Sequence, residues 1–236
     1  MKLLAIETST AQSGVVLAEG RTVVAEASSV NRTGHAGFLV PAIDFCFDQA
    51  GWLPHYLDAV VVDLGPGLYT GIRVGIATAL GIGSALGVPV VGGSSLDALA
   101  LDAATGHRHV YAVVDVRRGE LAIATYQPVP GGVVRDAPAQ LSTTDGLRAM
   151  LMSDPGNPLV VGDLPAVGDK ALSGLHRIKT GKPRYPTARA LLELGLSQLE
   201  RDSYPDDSLS PIYLREPDVT LNWSKLRPEG PWSGPS

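Results

Sequence analysis

The chain has 236 residues, of which 44% are hydrophobic and 18% charged, enough for one large domain or two small ones with a real core. The formal net charge is −5 and the pI about 5.5. That is the wrong sign for a protein that grips nucleic acid by itself, since phosphate binding needs clustered Lys and Arg, and it does not exclude a subunit of an RNA-modifying assembly whose basic surface lies on another chain.

The first apolar run, Leu3-Leu4-Ala5-Ile6, reads as a buried strand, because Glu7 breaks it too early for a signal peptide. A polar loop from Glu7 through Thr8, Ser9 and Thr10 leads to Val15-Val16-Leu17, a turn at Glu19-Gly20, and Val23-Val24-Ala25, a meander of antiparallel hairpins. His35 to Ala50 has helical spacing with an apolar stripe wider than a surface helix needs, Pro41 inside it and Gly51 as its stop. Ala59-Val60-Val61-Val62 is a second buried strand, followed by Gly65-Pro66-Gly67 and a helix to about Leu86, which Gly87 ends. Val88-Pro89-Val90-Val91 is a further strand, and Ser94 with Asp97 has the spacing of a capping box. The composition shifts near Thr105-Gly106. A hairpin then spans 110–126 around Arg117-Arg118-Gly119, Leu159-Val160-Val161 forms a strand, and 187–199 an amphipathic helix. No apolar run nears the roughly 20 residues that cross a bilayer, and the expected compartment is the cytoplasm.

The segment after Gly65 decides between chemistries. A glycine-rich turn entering a helix can cradle an anion with its free N–H groups. No Lys-Ser/Thr follows these glycines, and their spacing is G-x-G-x-x-x-G, so neither the Walker loop nor the dinucleotide fingerprint is met. Gly71, Gly75, Gly81 and Gly83 each cost the helix up to about 1 kcal/mol relative to Ala, which implies close packing against another backbone. Spacing alone leaves open whether that backbone belongs to this chain or to a partner.

The stretch GPGLYTGIRVGIATALGIGSALGVPVVGGSSLDALA resembles the most characteristic region of the TsaB (YeaZ) family. LLAIETSTAQSGVVLAEG, HAGFLVPAID, DVRRGELAIATY and PIYLREPD resemble further parts of it, in order along residues 3–218. The resemblance implies an α/β fold of the actin-like ATPase and sugar-kinase superfamily with two related α/β domains. Residues 1–104 with about 187–218 would form the first, 105–186 the second, and 219–236 a flexible tail. It implies a non-catalytic subunit in the making of threonylcarbamoyladenosine beside the tRNA anticodon. Such a subunit pairs with and activates its paralogue TsaD; TsaE joins the complex, TsaC supplies the threonylcarbamoyl-adenylate, and tRNA is met only through the complex.

The family pairs, with TsaD or with a second copy, through its first two helices. Here that face takes His35, Phe38, Leu39, Ala42, Ile43 and Cys46 from the first, and Thr70, Gly71, Val74, Gly75, Thr78 and Ala79 from the second. No cofactor is required on this reading.

Other chemistries compete with it. A metal centre of the superfamily's catalytic members would need histidines at i and i+4 of the first helix, but His35 is followed there by Leu39, and Cys46 is the only cysteine. A small ATP-dependent phosphotransferase or ATPase would use Glu7 with the hydroxyls of Thr8, Ser9 and Thr10, and Gly65 and Gly67 would face phosphate. A vestigial site there with weak ATP or ADP binding stays open. Asp63, just before the glycines, is a candidate second acid for such a site and otherwise reads as a strand-end or loop carboxylate. Ser94 and Ser95 lack a nucleophile elbow and read as a helix cap, against a peptidase. Arg177, Lys179, Lys182 and Arg184, with Tyr185 beside them, form a loose basic run read as a solvated loop, with a direct tRNA contact as the alternative that charge reversal and salt dependence would test.

Overall fold

The computed structural model describes residues 1–31, 34–103, 106–201 and 209–214, with only the backbone of Lys170. The expected tail at 219–236, residues 215–218 of the C-terminal motif and Thr105 lie outside the described residues.

The first half runs β1 (Lys2–Glu7), β2 (Gln12–Glu19), β3 (Thr22–Val30), α1 (His35–Ala50), β4 (Ala59–Asp63), α2 (Tyr69–Leu86), β5 (Val90–Gly93) and α3 (Ser95–Leu101). The second runs β6 (Val110–Asp115), β7 (Glu120–Val129), β8 (Gly132–Arg135), β9 (Gln140–Thr143), α4 (Thr144–Ser153) and β10 (Leu159–Gly162). The short α5 (Leu164–Val167) and α6 (Asp169–Leu172) follow, then β11 (Lys179–Thr180) and α7 (Ala188–Glu200).

The strands form two sheets, ordered β3-β2-β1-β4-β5 and β11-β10-β6-β7-β8, with β9 paired to β7. In each, an antiparallel hairpin leads into strands paired in parallel: β1 with β4 and β4 with β5, then β6 with β10 and β10 with β11. The same order occurs twice, so the two halves are topological copies.

Side-chain alternation separates the layers. Leu4 and Ile6 of β1 point into a core with Leu39 and Cys46 of α1 and Ile72 and Ile76 of α2. Leu3 and Ala5 point the other way, onto Leu191 and Leu192 of α7. A strand covered on both faces reads as an unbroken apolar run, which is why LLAI and AVVV carry no polar alternation. The second sheet repeats this: Val110 and Ala112 meet Leu96 and Leu99 of α3, while Tyr111 and Val113 meet Leu147 and Leu151 of α4. Helix α3 therefore joins the halves, because Ala98 belongs to the α7 side of the first sheet. The Thr187 hydroxyl caps α7 by accepting from the Ala190 N–H at 3.0 Å.

Candidate functional site

Strands β1 and β4 end side by side, and each ends on an acid. Glu7 is 0% and Asp63 1% exposed. Glu7 Oε1 accepts from the Ser9 N–H and hydroxyl, both at 2.7 Å. Asp63 accepts from the Gly65 N–H at 2.7 Å and from the Ser95 hydroxyl at 2.8 and 2.9 Å. The Ser9 oxygen also lies 2.9 Å from Asp63 Oδ2. A hydroxyl has one hydrogen, so Ser9 cannot serve both acids at once.

Glu7 Oε2 is buried without a partner. Burial, then the charge of Asp63, pushes the Glu7 carboxyl well above its ordinary value. Burial pushes Asp63 up to about 6, against the opposing hydrogen bonds of Gly65, Ser95 and Ser9. Both shifts favour the protonated forms, as expected where two buried carboxyls would otherwise carry adjacent charges.

The loop above this pair is closed by the chain itself. A Cβ at Gly71 would collide with the Thr8 carbonyl, and one at Gly67 with the Ser9 carbonyl. The Thr8 hydroxyl donates to the Gly71 carbonyl at 2.8 Å, and the Leu68 N–H donates to Ser9 O at 2.6 Å. Gly65, at φ 94°, holds a backbone angle that favours glycine. The six residues expected around a phosphate are therefore together, but Glu7, Thr8, Ser9 and Thr10 are buried and Gly67 is packed against protein. Among the described residues no group of three or more acids, histidines or cysteines gathers as metal ligands.

The two expected pairing helices form where the spacing places them, and the left-handed Gly51 and Gly87 end them. Their orientation turns most of the expected face inward in this chain. His35, Leu39, Ala42, Ile43 and Cys46 are buried in this chain, as are Gly71, Gly75 and Ala79. His35 Nδ1 lies 2.7 Å from the Ser13 hydroxyl, and Gly75 leaves room for the Thr8 hydroxyl. The backbone that α2 approaches so closely thus belongs to β1 and its loop. Of the four helix glycines, Gly81 alone has open space around it. Phe38, Val74 and Thr78 are half-buried and Thr70 is exposed.

The outward stripe consists of other residues. Val40 and Phe45 of α1 are 64% and 50% exposed, and Tyr69 and Leu80 of α2 46% and 44%. Thr70, Ala77, Gly81, Ser84 and Ala85 complete the exposed side of α2, where Arg73 is the one charged residue. Arg73 stacks over Tyr69 at 3.8 Å and donates to the Tyr213 hydroxyl at 2.9 Å, which holds the segment 209–214 against α2.

Asp97 does not complete a capping box either. It accepts from the Arg135 guanidinium at 2.6 Å and from the Tyr126 hydroxyl at 2.8 Å, while Arg135 reaches the Ser94 oxygen at 3.3 Å. No side-chain bond caps α3. These contacts tie α3 to β7 and β8, so Ser94 and Ser95 face different partners: Arg135 across the junction and Asp63 in the buried cluster.

A family model described as "TsaD: tRNA N6-adenosine threonylcarbamoyltransferase" matches residues 23–160. The tRNA threonylcarbamoyladenosine biosynthesis protein TsaB of Bacillus subtilis is 27% identical over 94% of this chain and 98% of its own. The solved YeaZ from Pseudomonas aeruginosa superposes with a TM-score of 0.76 at 26% identity, over 90% of this chain and 99% of its own. The chain belongs to the TsaB (YeaZ) family. Its two sheets of matching strand order are the duplicated α/β architecture expected from the sequence. An uncharacterised protein of Mycobacterium leprae is 39% identical over 92% of this chain, which spans 55% of that protein's length. Within the TsaB family frame, no helix among the described residues is long and apolar enough to cross a membrane.

Proposed function

We propose that this chain is a non-catalytic subunit of the assembly that makes threonylcarbamoyladenosine in tRNA, and that it activates TsaD by pairing with it. The outward stripe of α1 and α2 is the docking surface, and a second copy of the chain uses the same stripe when TsaD is absent. TsaE and TsaC act in the same assembly, and no cofactor is needed on this chain.

One observation carries the reading: an 18-residue helix exposes a stripe with a single charge. Solvated helix faces are normally charged, and a contiguous apolar face of this kind is the signature of a protein contact. The closed loop over Glu7 and Asp63 supports the non-catalytic part, since it leaves phosphate no approach to either acid. Phe38, Thr70, Val74 and Thr78 border the stripe, and the buried residues support it from beneath.

The test is pairing of the purified chain with TsaD, followed by size-exclusion chromatography and calorimetry. Phe45→Arg and Leu80→Arg should leave circular dichroism unchanged and weaken pairing about 30-fold or more, the loss of an interface hot spot of roughly 2 kcal/mol. Undiminished pairing in both variants would place the contact elsewhere. ATP turnover by the isolated chain that is lost in Glu7→Ala would replace the scaffold reading with that of an ATPase.

A further inference from the structure

The charge of this chain is segregated. Residues 106–186 hold ten Lys and Arg against seven Asp and Glu, a net of +3, while the remainder holds nine against seventeen, a net of −8. The acidic total therefore hides a cationic half.

The fold then rearranges the basic run. Strand β11 lies parallel to β10 with Lys179 opposite Leu159, so Arg177 and Lys179 sit at the end where β10 begins. The Pro183 carbonyl accepts from Gly162 at the other end, so Lys182 and Arg184 part company with them. Arg108 takes their place. It donates to the Asn157 carbonyl at 3.0 Å, and Arg177 donates to the Pro155 carbonyl at 3.0 Å from the opposite side of the same loop. A guanidinium has five N–H donors, so these bonds fix both forks while leaving other donors for a ligand.

Two hollows flank the loop and meet at Gly156. One, of about 500 Å³, is lined by His107, Arg108, His109 and Gln127. The other, of about 240 Å³, is lined by His176 and Arg177. The acids nearest to them, Asp136 and Asp154, are both engaged by the His109 ring, and the Tyr111 hydroxyl donates to Asp154 at 3.0 Å. Their charge is thus partly answered within the protein.

We infer that this pole of the second half, with Arg108, Arg177 and Lys179 around the loop 154–157, binds the phosphate backbone of RNA. The inference rests on the tRNA role proposed above but not on its pairing stripe, which lies on α1 and α2. Contacts to phosphate carry no sequence information, so the pole holds and orients the RNA.

The test is fluorescence anisotropy of a labelled tRNA transcript titrated with the full chain at about 50 and 200 mM salt. Arg177→Glu with Lys179→Glu should weaken binding about tenfold or more and flatten the log–log salt slope by roughly 1–2. Lys182→Glu with Arg184→Glu changes the net charge equally at the other end of β10 and should stay within about threefold of wild type. Lys179→Glu alone, with thermal unfolding measured alongside, separates lost contact from lost fold.

Equal losses in the two double variants, no loss at the pole, no binding by wild type at the lower salt, or full displacement by inorganic phosphate at matched ionic strength would each overturn the inference. Pairing with TsaD should survive both double variants, so a failed pairing stripe and a failed RNA pole give different results.

Discussion

Replacing Asp63 with Asn separates the charge of the buried cluster from its shape. The wild-type carboxyl titrates at about 6 in the folded chain against an ordinary value of 3.8, chiefly because it is enclosed. Between those values the native state keeps a proton that the unfolded state has released. Raising the pH therefore favours unfolding, by about 1.4 kcal/mol per pH unit across the window. The accumulated cost is about 3 kcal/mol at pH 6 and above, and it disappears below the unfolded value. Asn has the same outline and no proton to lose. Its oxygen can still accept from Gly65 and Ser95, and removing the Asp63 charge also relieves the upward push on Glu7, which shifts the difference between the two proteins in the same direction. Urea unfolding at pH 4, 5, 6 and 7 should give two stability curves whose difference shifts toward the variant by roughly 2–3 kcal/mol over that range. Parallel curves would mean that Asp63 ionises in the folded chain as freely as in water, and the account of a proton-holding cluster would be wrong.

Gly75→Ala places a methyl group against the Thr8 hydroxyl and should cost about 1–3 kcal/mol of unfolding free energy. Gly81→Ala, with nothing near it, should gain up to about 1 kcal/mol from helix propensity, and calorimetric Tm values should move in opposite directions. Burial pulls the His109 imidazole down, but its bonds to Asp136 and Asp154 outweigh this and hold it above its ordinary value. Its contribution is complete below pH 6.5 and lost as pH rises through the folded value, so the stability advantage of wild type over His109→Gln should shrink from pH 5 to pH 8. Arg135→Met leaves Asp97 with the Tyr126 hydroxyl and should cost about 1–3 kcal/mol, read as faster proteolysis at the junction of the two halves.

The helix ends and the hairpins are legible in the sequence because their signals are local. Gly51 and Gly87 sit in the left-handed region that a helix stop requires, and His35 to Ala50 is a helix over the expected span. The buried acids are not legible. Asp63 draws its partners from Ser9 and Ser95, 54 and 32 positions away, and no local pattern marks a carboxylate for complete burial. The capping-box spacing of Ser94 and Asp97 has a competitor 38 positions on, the Arg135 guanidinium, which brings a full positive charge to the carboxylate where a backbone N–H brings none.

Helix glycines are the most instructive case. Their cost argues for a close neighbour whichever side they face, so composition cannot choose between a partner and the chain's own β1 loop. The loop at 8–9 fills the space beside Gly67, Gly71 and Gly75, which explains those three without any second protein. It leaves the opposite stripe, with Gly81, Ala77 and Leu80, as the side whose lack of charge still needs an explanation. The argument for docking therefore passes from the glycines that are packed to the apolar residues that are not.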